Sequence, residues 1–175
     1  MIRMLGLDPG TNNFAFSAVE GNGKKFNILE HGMIRNPFKN MKGDDVGKRG
    51  RKFVLEVREI VRYFKITHGT AERFQTRGPK GTTVEEVSVS LGLLWGVGIK
   101  PNNLRFITAA QWKNEWNKRY DLKAFYESCG IVPHQVDATN IGLYGLDLLF
   151  DIKPHFVSLP NPTRFALLLK KSQES

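Results

Sequence analysis

Apolar and polar positions along the chain change period several times, and each change marks an element. Ile2 to Asp8 is a short apolar run that ends in an acid, and Pro9-Gly10-Thr11-Asn12-Asn13 then makes a turn. Phe14 to Val19 and Phe26 to Ile34 read as two further strands, joined by the turn residues Gly21-Asn22-Gly23. Three strands on short connections predict an antiparallel meander. Pro37 to Gly50 is basic, contains glycines and lacks apolar periodicity, which predicts a mobile loop. From Arg51 to Phe64 the period becomes helical, with Phe53, Val54, Val57, Ile60, Val61 and Phe64 on one side. His68 to Gln75 reads as a strand carrying Glu72, and Thr76 to Gly81 as a second basic loop.

The second half of the chain is mostly helical. Thr82-Thr83 followed by Glu85-Glu86 resembles a helix start, and that helix runs to about Gly98. Leu104 to Thr108 is a fifth strand. Helices follow near Ala109 to Asn117, Leu122 to Cys129 and Gln135 to Leu149. The tail holds an extended piece at His155 to Leu159 and a helix at Thr163 to Lys171. This order predicts an α/β architecture, a five-stranded mixed sheet flanked by helices.

Composition narrows the function. A chain of 175 residues, 41% hydrophobic and 25% charged, fits one globular domain and shows no mark of disorder. Its 26 Lys and Arg against 17 Asp and Glu leave a net charge of +9, which favours a polyanionic partner through counterion release. The lone Cys129 excludes an internal disulfide and a cysteine-cluster zinc site, and fits a reducing, cytoplasmic compartment. The first residues form a strand pattern and not a signal peptide, and no run is long enough for a membrane span.

Against this basic background the acids at element ends stand out. Asp8 closes the first strand before a Pro-Gly turn; it either caps that turn or projects from the sheet edge. Glu72 sits in Thr70-Ala71-Glu72-Arg73-Phe74, where alternation predicts partial burial. A carboxylate there needs an ion pair, with Arg73 or another base, or a metal. Asp137 opens the last long helix, as an N-terminal acid or as a ligand, with position 140 one turn on and the small Ala138 and Gly142 following. Three acids converging from separate segments could hold two Mg2+ ions through oxygen ligands, the arrangement that hydrolyses phosphodiesters.

At this point a family resemblance emerges. Leu5-Gly6-Leu7-Asp8-Pro9-Gly10-Thr11 resembles the first-strand motif of the RuvC Holliday junction resolvases, within the ribonuclease H-like superfamily. Ala71-Glu72-Arg73-Phe74 is similar to that family's second catalytic strand, and Ala109-Ala110-Gln111-Trp112-Lys113 to its stretch after the fifth strand. Pro133-His134-Gln135-Val136-Asp137-Ala138 resembles the start of its last catalytic helix, and the matches keep their order up to about residue 150. The resemblance implies a homodimer that grips a four-way DNA junction and nicks two strands with Mg2+ or Mn2+. It makes Asp8, Glu72 and Asp137 metal ligands, with Asn140 where the family usually has a fourth acid. Asn140 offers a neutral oxygen only. At an effective dielectric of about 20, the missing charge beside a divalent ion is worth several kcal/mol. That predicts weakened or abolished catalysis. Asp147, about 15 Å further along the helix axis, is too distant to substitute.

Three basic groups are candidate DNA contacts. Lys48, Arg49 and Arg51 belong to a stretch with Lys39, Lys42 and Lys52, a solvated loop or a backbone grip. Arg73, Arg77 and Lys80 follow Glu72 and suit phosphates near the metals, while Phe74 is either a junction wedge or a core residue. Lys113, with Lys118, Arg119 and Lys123, is interleaved with Trp112, Trp116 and Tyr120; Lys113 is the foremost phosphate contact, and helical spacing favours core packing for the tryptophans. His134 reads as structural or as an assistant to catalysis. The helix Val84 to Trp95 is apolar enough to meet either its own sheet or a second copy. Other readings stay open: a non-catalytic junction-binding protein, another nuclease of this fold, or an actin-like or sugar-kinase-like ATP-binding domain. The last would need a second domain for which the chain is too short.

Overall fold

Alternation along the first strand decides how the sheet is covered. Side chains in a strand point to opposite faces in turn, so Leu5 and Leu7 share one face while Met4, Gly6 and Asp8 share the other. The computed structural model of the chain describes residues 1–10, 13–35, 46–73, 81–116 and 132–151. Strand β1 (Ile2–Pro9) pairs antiparallel with β2 (Asn13–Gly21), and β2 with β3 (Phe26–Arg35), which is the expected meander. β4 (His68–Glu72) and β5 (Leu104–Ile107) add in parallel on the other side of β1, giving the order β3-β2-β1-β4-β5. The expected five-stranded mixed sheet with helices on it is therefore the observed architecture.

Helix α1 (Val46–Tyr63) covers the leucine face. Its buried Phe53, Val57 and Val61 join Leu5, Leu7, Phe14 and Ala18 in the main core, and the Phe14 and Phe53 rings lie 5.2 Å apart. The helix begins five residues earlier than the periodicity suggested. Gly50 is buried one turn before Phe53, so the apolar face continues back through a glycine that reads as a breaker in the sequence. Lys48 and Arg49 accordingly sit on a helix, not in a loop. Helix α2 (Gly81–Leu93) packs Val87 into the interior and gives way to a short 3-10 turn at Leu94–Gly96. It stops short of the expected Gly98, which has a φ of +95° that a helix cannot hold.

Helix α3 (Ala109–Trp116) follows β5 directly, and α4 (Pro133–Phe150) lies across the Met4, Gly6 and Asp8 face. α4 starts at Pro133, two residues before the expected Gln135. Proline at the first helical position costs no hydrogen bond and has its φ already set. Strand β4 ends at Glu72, the Arg73 N–H donates to the Ile107 carbonyl at 2.7 Å, and the last two residues of the expected strand, Phe74 and Gln75, lie outside the described residues. The predicted helix Leu122 to Cys129 and the tail elements His155 to Leu159 and Thr163 to Lys171 lie outside the described residues, as do Lys39, Lys42 and the loop residues 76–80. Among the described residues no helix is long and apolar enough to cross a membrane.

Candidate active site

Strand register sets the first two acids side by side. β1 and β4 run parallel with Gly6 opposite Thr70 and Leu7 opposite Ala71; one further step brings Asp8 level with Glu72. Neighbouring strands lie about 4.8 Å apart, and the period of two puts both acids on the face covered by α4. Both sit at the C-terminal ends of parallel strands, where open α/β sheets usually place their ligands.

Small residues bring the third acid down onto this pair. A Cβ built on Gly6 would stand 2.6 Å from the Gly142 nitrogen and overlap the Ala138 carbonyl oxygen, so helix and strand backbones touch where neither has a side chain. One turn on, a Cβ at Gly145 would collide with Thr70. The buried Ser17 hydroxyl on β2 donates to the Ala138 carbonyl at 2.9 Å and locks the helix in place. Asp137, next to Ala138, is thereby carried to the end of β1. It lies a full turn inside α4, whose N-cap is Val132. The reading of Asp137 as a residue that opens the helix is therefore corrected: Pro133 shifts the start back.

The three carboxylates act on one another. Burial is the largest influence on Glu72 and pushes its carboxyl above the ordinary range; a hydrogen bond from Trp112 pulls it down, and the charges of Asp8 and Asp137 add to the rise. Asp137 is likewise raised, first by burial and then by Asp8, against the pull of Lys113. All three pairs therefore lie within reach of each other's fields. The Lys113 ammonium offsets the repulsion, its Nζ 3.5 Å from Asp137 Oδ2, and His134 Nδ1 shares a hydrogen bond with Asp8 Oδ2 at 2.8 Å. The Asp8 side chain is only 12% exposed and His134 is 64% exposed, so the histidine covers the acid from the solvent side. Among the described residues no three His, Cys, Asp or Glu side chains stand close enough together to hold an ion as they are.

Among the described residues Glu72 is held by an indole, with the charge of Lys113 acting on it as well. Trp112 Nε1 donates to Glu72 Oε2 at 2.7 Å, an interaction that core packing alone did not suggest for this tryptophan. The signal for it was present: Thr108-x-x-Gln111 is a capping box. In the structure the Thr108 N–H donates to Gln111 Oε1 at 2.8 Å, while the Gln111 N–H donates to Thr108 Oγ1 at 3.3 Å. That box starts α3 one residue after β5 and aims Trp112 back at the end of β4.

Asn140 is buried, and its Oδ1 has no hydrogen-bond partner among the described residues. At about 100° per residue, it lies about 160° round the helix from the sheet-facing Ala138, whereas His134 lies about 40° from it. The residue one turn before Asp137 therefore reaches Asp8, whereas among the described residues no hydrogen bond joins Asn140 Oδ1 to the acids. The (i, i+3) spacing that drew attention to Asn140 held equally in the other direction.

The basic candidates divide. Phe14 pairs with Pro9 and packs against Phe53, so the start of α1, with the exposed Lys48 and Arg51 and the half-buried Arg49, is at the same end of the sheet as Asp8 and Glu72. Arg73 is exposed beside Glu72. Phe74, Arg77 and Lys80 lie outside the described residues, as do Lys118, Arg119, Tyr120 and Lys123. In the stretch expected to meet a second copy, Val87 and Leu94 are buried in the chain's own interior. Trp95 is 51% exposed, its ring 5.8 Å from that of Phe106.

Solved structures decide the fold. RuvC of Thermus thermophilus in complex with a Holliday junction substrate superposes with a TM-score of 0.63 at 16% identity, covering 82% of this chain and 92% of that one. The fold is ribonuclease H-like. A second Thermus thermophilus RuvC structure gives 0.58 at 17% identity, covering 88% and 100%. The yeast mitochondrial Holliday junction resolvase gives 0.55 at 13%, covering 99% and 82%. No protein-family model and no curated protein matches the sequence. The ribonuclease H-like sheet runs in the order 3-2-1-4-5, and its centre, β1 beside β4, is where Asp8 and Glu72 stand.

Proposed function

We propose that the chain is a divalent-cation-dependent nuclease that cuts branched DNA in the manner of a Holliday junction resolvase. The observation that carries this reading is the meeting of Asp8, Glu72 and Asp137 at one end of the sheet, within each other's fields, in a chain of net charge +9. The donor set fits a hard cation: the charges of Glu72 and Asp137 are disfavoured by burial and by neighbouring acids, Asp8 among them, and Mg2+ or Mn2+ would relieve this. Asp8, Glu72 and Asp137 would hold the ions, and His134, already against Asp8, is a better placed fourth donor than Asn140. A buried neutral oxygen at Asn140 then no longer implies a crippled site. When bound, such ions activate a water and stabilise the leaving oxygen of a phosphodiester.

The chain's own residues supply the rest. Lys113 holds Asp137 in the free protein, and its half-exposed ammonium is free to turn toward a phosphate once the acid is engaged. Lys48, Arg49 and Arg51 at the start of α1 and Arg73 after Glu72 would track the DNA backbone, and Phe74, Arg77 and Lys80, which follow Arg73 in the sequence, are further proposed contacts. A symmetric junction needs two such centres, and the α2 stretch ending at the exposed Trp95 is the proposed face between two copies.

The test is incubation of labelled four-way junctions with the purified protein and Mg2+ or Mn2+. Paired symmetric nicks are expected, and Asp8→Asn should slow them by about 10³-fold or more, since a unit charge beside a divalent ion is worth several kcal/mol. Junction binding without nicks under either ion would leave a binding module in place of the nuclease, and ATP hydrolysis without cleavage would replace the reading altogether.

A further inference from the structure

Trp112 is only 1% exposed, and its ring packs with Ile107 of β5 and Ile141 of α4. A space-filling role would need nothing more than that ring. Yet the indole N–H, which can only donate, is spent on a single oxygen of Glu72 at 2.7 Å. The adjacent Lys113 reaches Asp137 and lies 4.9 Å from the centre of the Trp112 ring. Two consecutive residues of one helix thus hold two of the three acids. Their position is set by the Thr108–Gln111 box at the start of α3 and by β5, whose Ile107 pairs with Glu72 itself.

We infer that Trp112 is a positioning residue, whose N–H fixes the Glu72 carboxylate by its Oε2 and leaves Oε1 to face the acid cluster. This rests on the nuclease reading, with Glu72 as a cation ligand. A donor that neither titrates nor exchanges for water keeps the carboxylate in one rotamer, so a cation meets a ligand that is already oriented. Partners behind metal ligands commonly matter by 10- to 100-fold in affinity or activity.

The test compares the wild-type protein with Trp112→Phe, which keeps an aromatic ring and removes the N–H. Circular dichroism and the melting midpoint report the fold, calorimetry of Mn2+ binding reports the ligand, and junction cleavage is followed against Mn2+ concentration. The expected result is a folded variant whose Mn2+ affinity falls about 10- to 100-fold, with cleavage lost at limiting Mn2+ and largely restored at saturating Mn2+. In a Glu72→Gln background the same change should have no further effect on Mn2+ binding. If Phe loosens the core, benzothienylalanine at position 112, with sulfur in place of the N–H, is the second variant and should give the same result. Unchanged Mn2+ affinity in a folded variant of an active wild-type protein overturns the role of Trp112 alone. An equal loss in the Glu72→Gln background overturns it too. A wild-type protein that neither binds Mn2+ nor cuts junctions overturns the nuclease reading, and this inference with it.

Discussion

The two faces of the sheet are packed by opposite means. On one, α1 stands off at the distance set by Phe53, Val57 and Val61 against Leu5, Leu7 and Phe14, an ordinary apolar core. On the other, α4 comes down until backbone meets backbone at Gly6 and Gly142, with Ser17 bonded to a helix carbonyl. Large side chains supply stability and tolerate some rearrangement. Glycine contacts bury less apolar surface but leave one seating only, and Asp137 and His134 take their positions from it. The face that contributes less burial is the one that aligns the chemistry.

Mutation can break that comparison from either side. Phe53→Ala removes a fully buried ring and should cost about 3–5 kcal/mol in urea unfolding, while the protein that remains folded binds Mn2+ as before. Gly6→Ala adds one methyl and should cost less, about 1–3 kcal/mol, yet abolish Mn2+ binding and junction cleavage in the folded fraction, because α4 must lift off Asp8. Equal loss of function per folded molecule in both variants would mean the two faces are not distinct.

A smaller effect comes from the acids themselves. Glu72 has its folded-state pKa raised above the unfolded value, chiefly by burial. Its favourable contribution is therefore complete below the unfolded value and disappears as pH rises through the folded one. Without divalent ions, Glu72→Gln should be more stable than the wild type at neutral pH, by about 0.5–2 kcal/mol, and the two should converge in acid. Midpoints of urea unfolding from acid to neutral pH check this. Glu72→Gln should at the same time abolish cleavage.

The smallest effect on stability is expected at the start of α1. Lys48→Ala and Arg51→Ala should each change stability by no more than about 0.5 kcal/mol. They should weaken junction binding at every sequence and flatten its dependence on log salt by about one unit for each phosphate no longer neutralised. An unchanged salt slope would remove this helix end from the DNA path.

How much of this was legible before the structure follows from the kind of signal each feature leaves. The five strands and their meander were readable because alternation and turn residues are local. Asp8 and Glu72 stood out as acids at strand ends and the family resemblance joined them, but their alignment depends on the parallel register of β1 and β4. The start of α1 was missed because Gly47 and Gly50 weaken a helical pattern that the buried face nevertheless uses. The start of α4 was misplaced by ignoring Pro133 at its first position, and with it the choice between His134 and Asn140, which needs the direction in which the helix faces. The Trp112 to Glu72 bond joins residues 40 positions apart. No periodicity encodes such a bond, although the capping box at Thr108 marked where the helix that makes it would begin.

The most direct measurement is anomalous scattering from a crystal of the protein grown with Mn2+. A peak is expected at the C-terminal ends of β1 and β4, about 2.0–2.6 Å from oxygens of Asp8 and of Glu72 or Asp137, the distances hard divalent cations keep. A well-ordered site without a peak at saturating Mn2+, or a peak bound elsewhere on the molecule, would contradict this expectation.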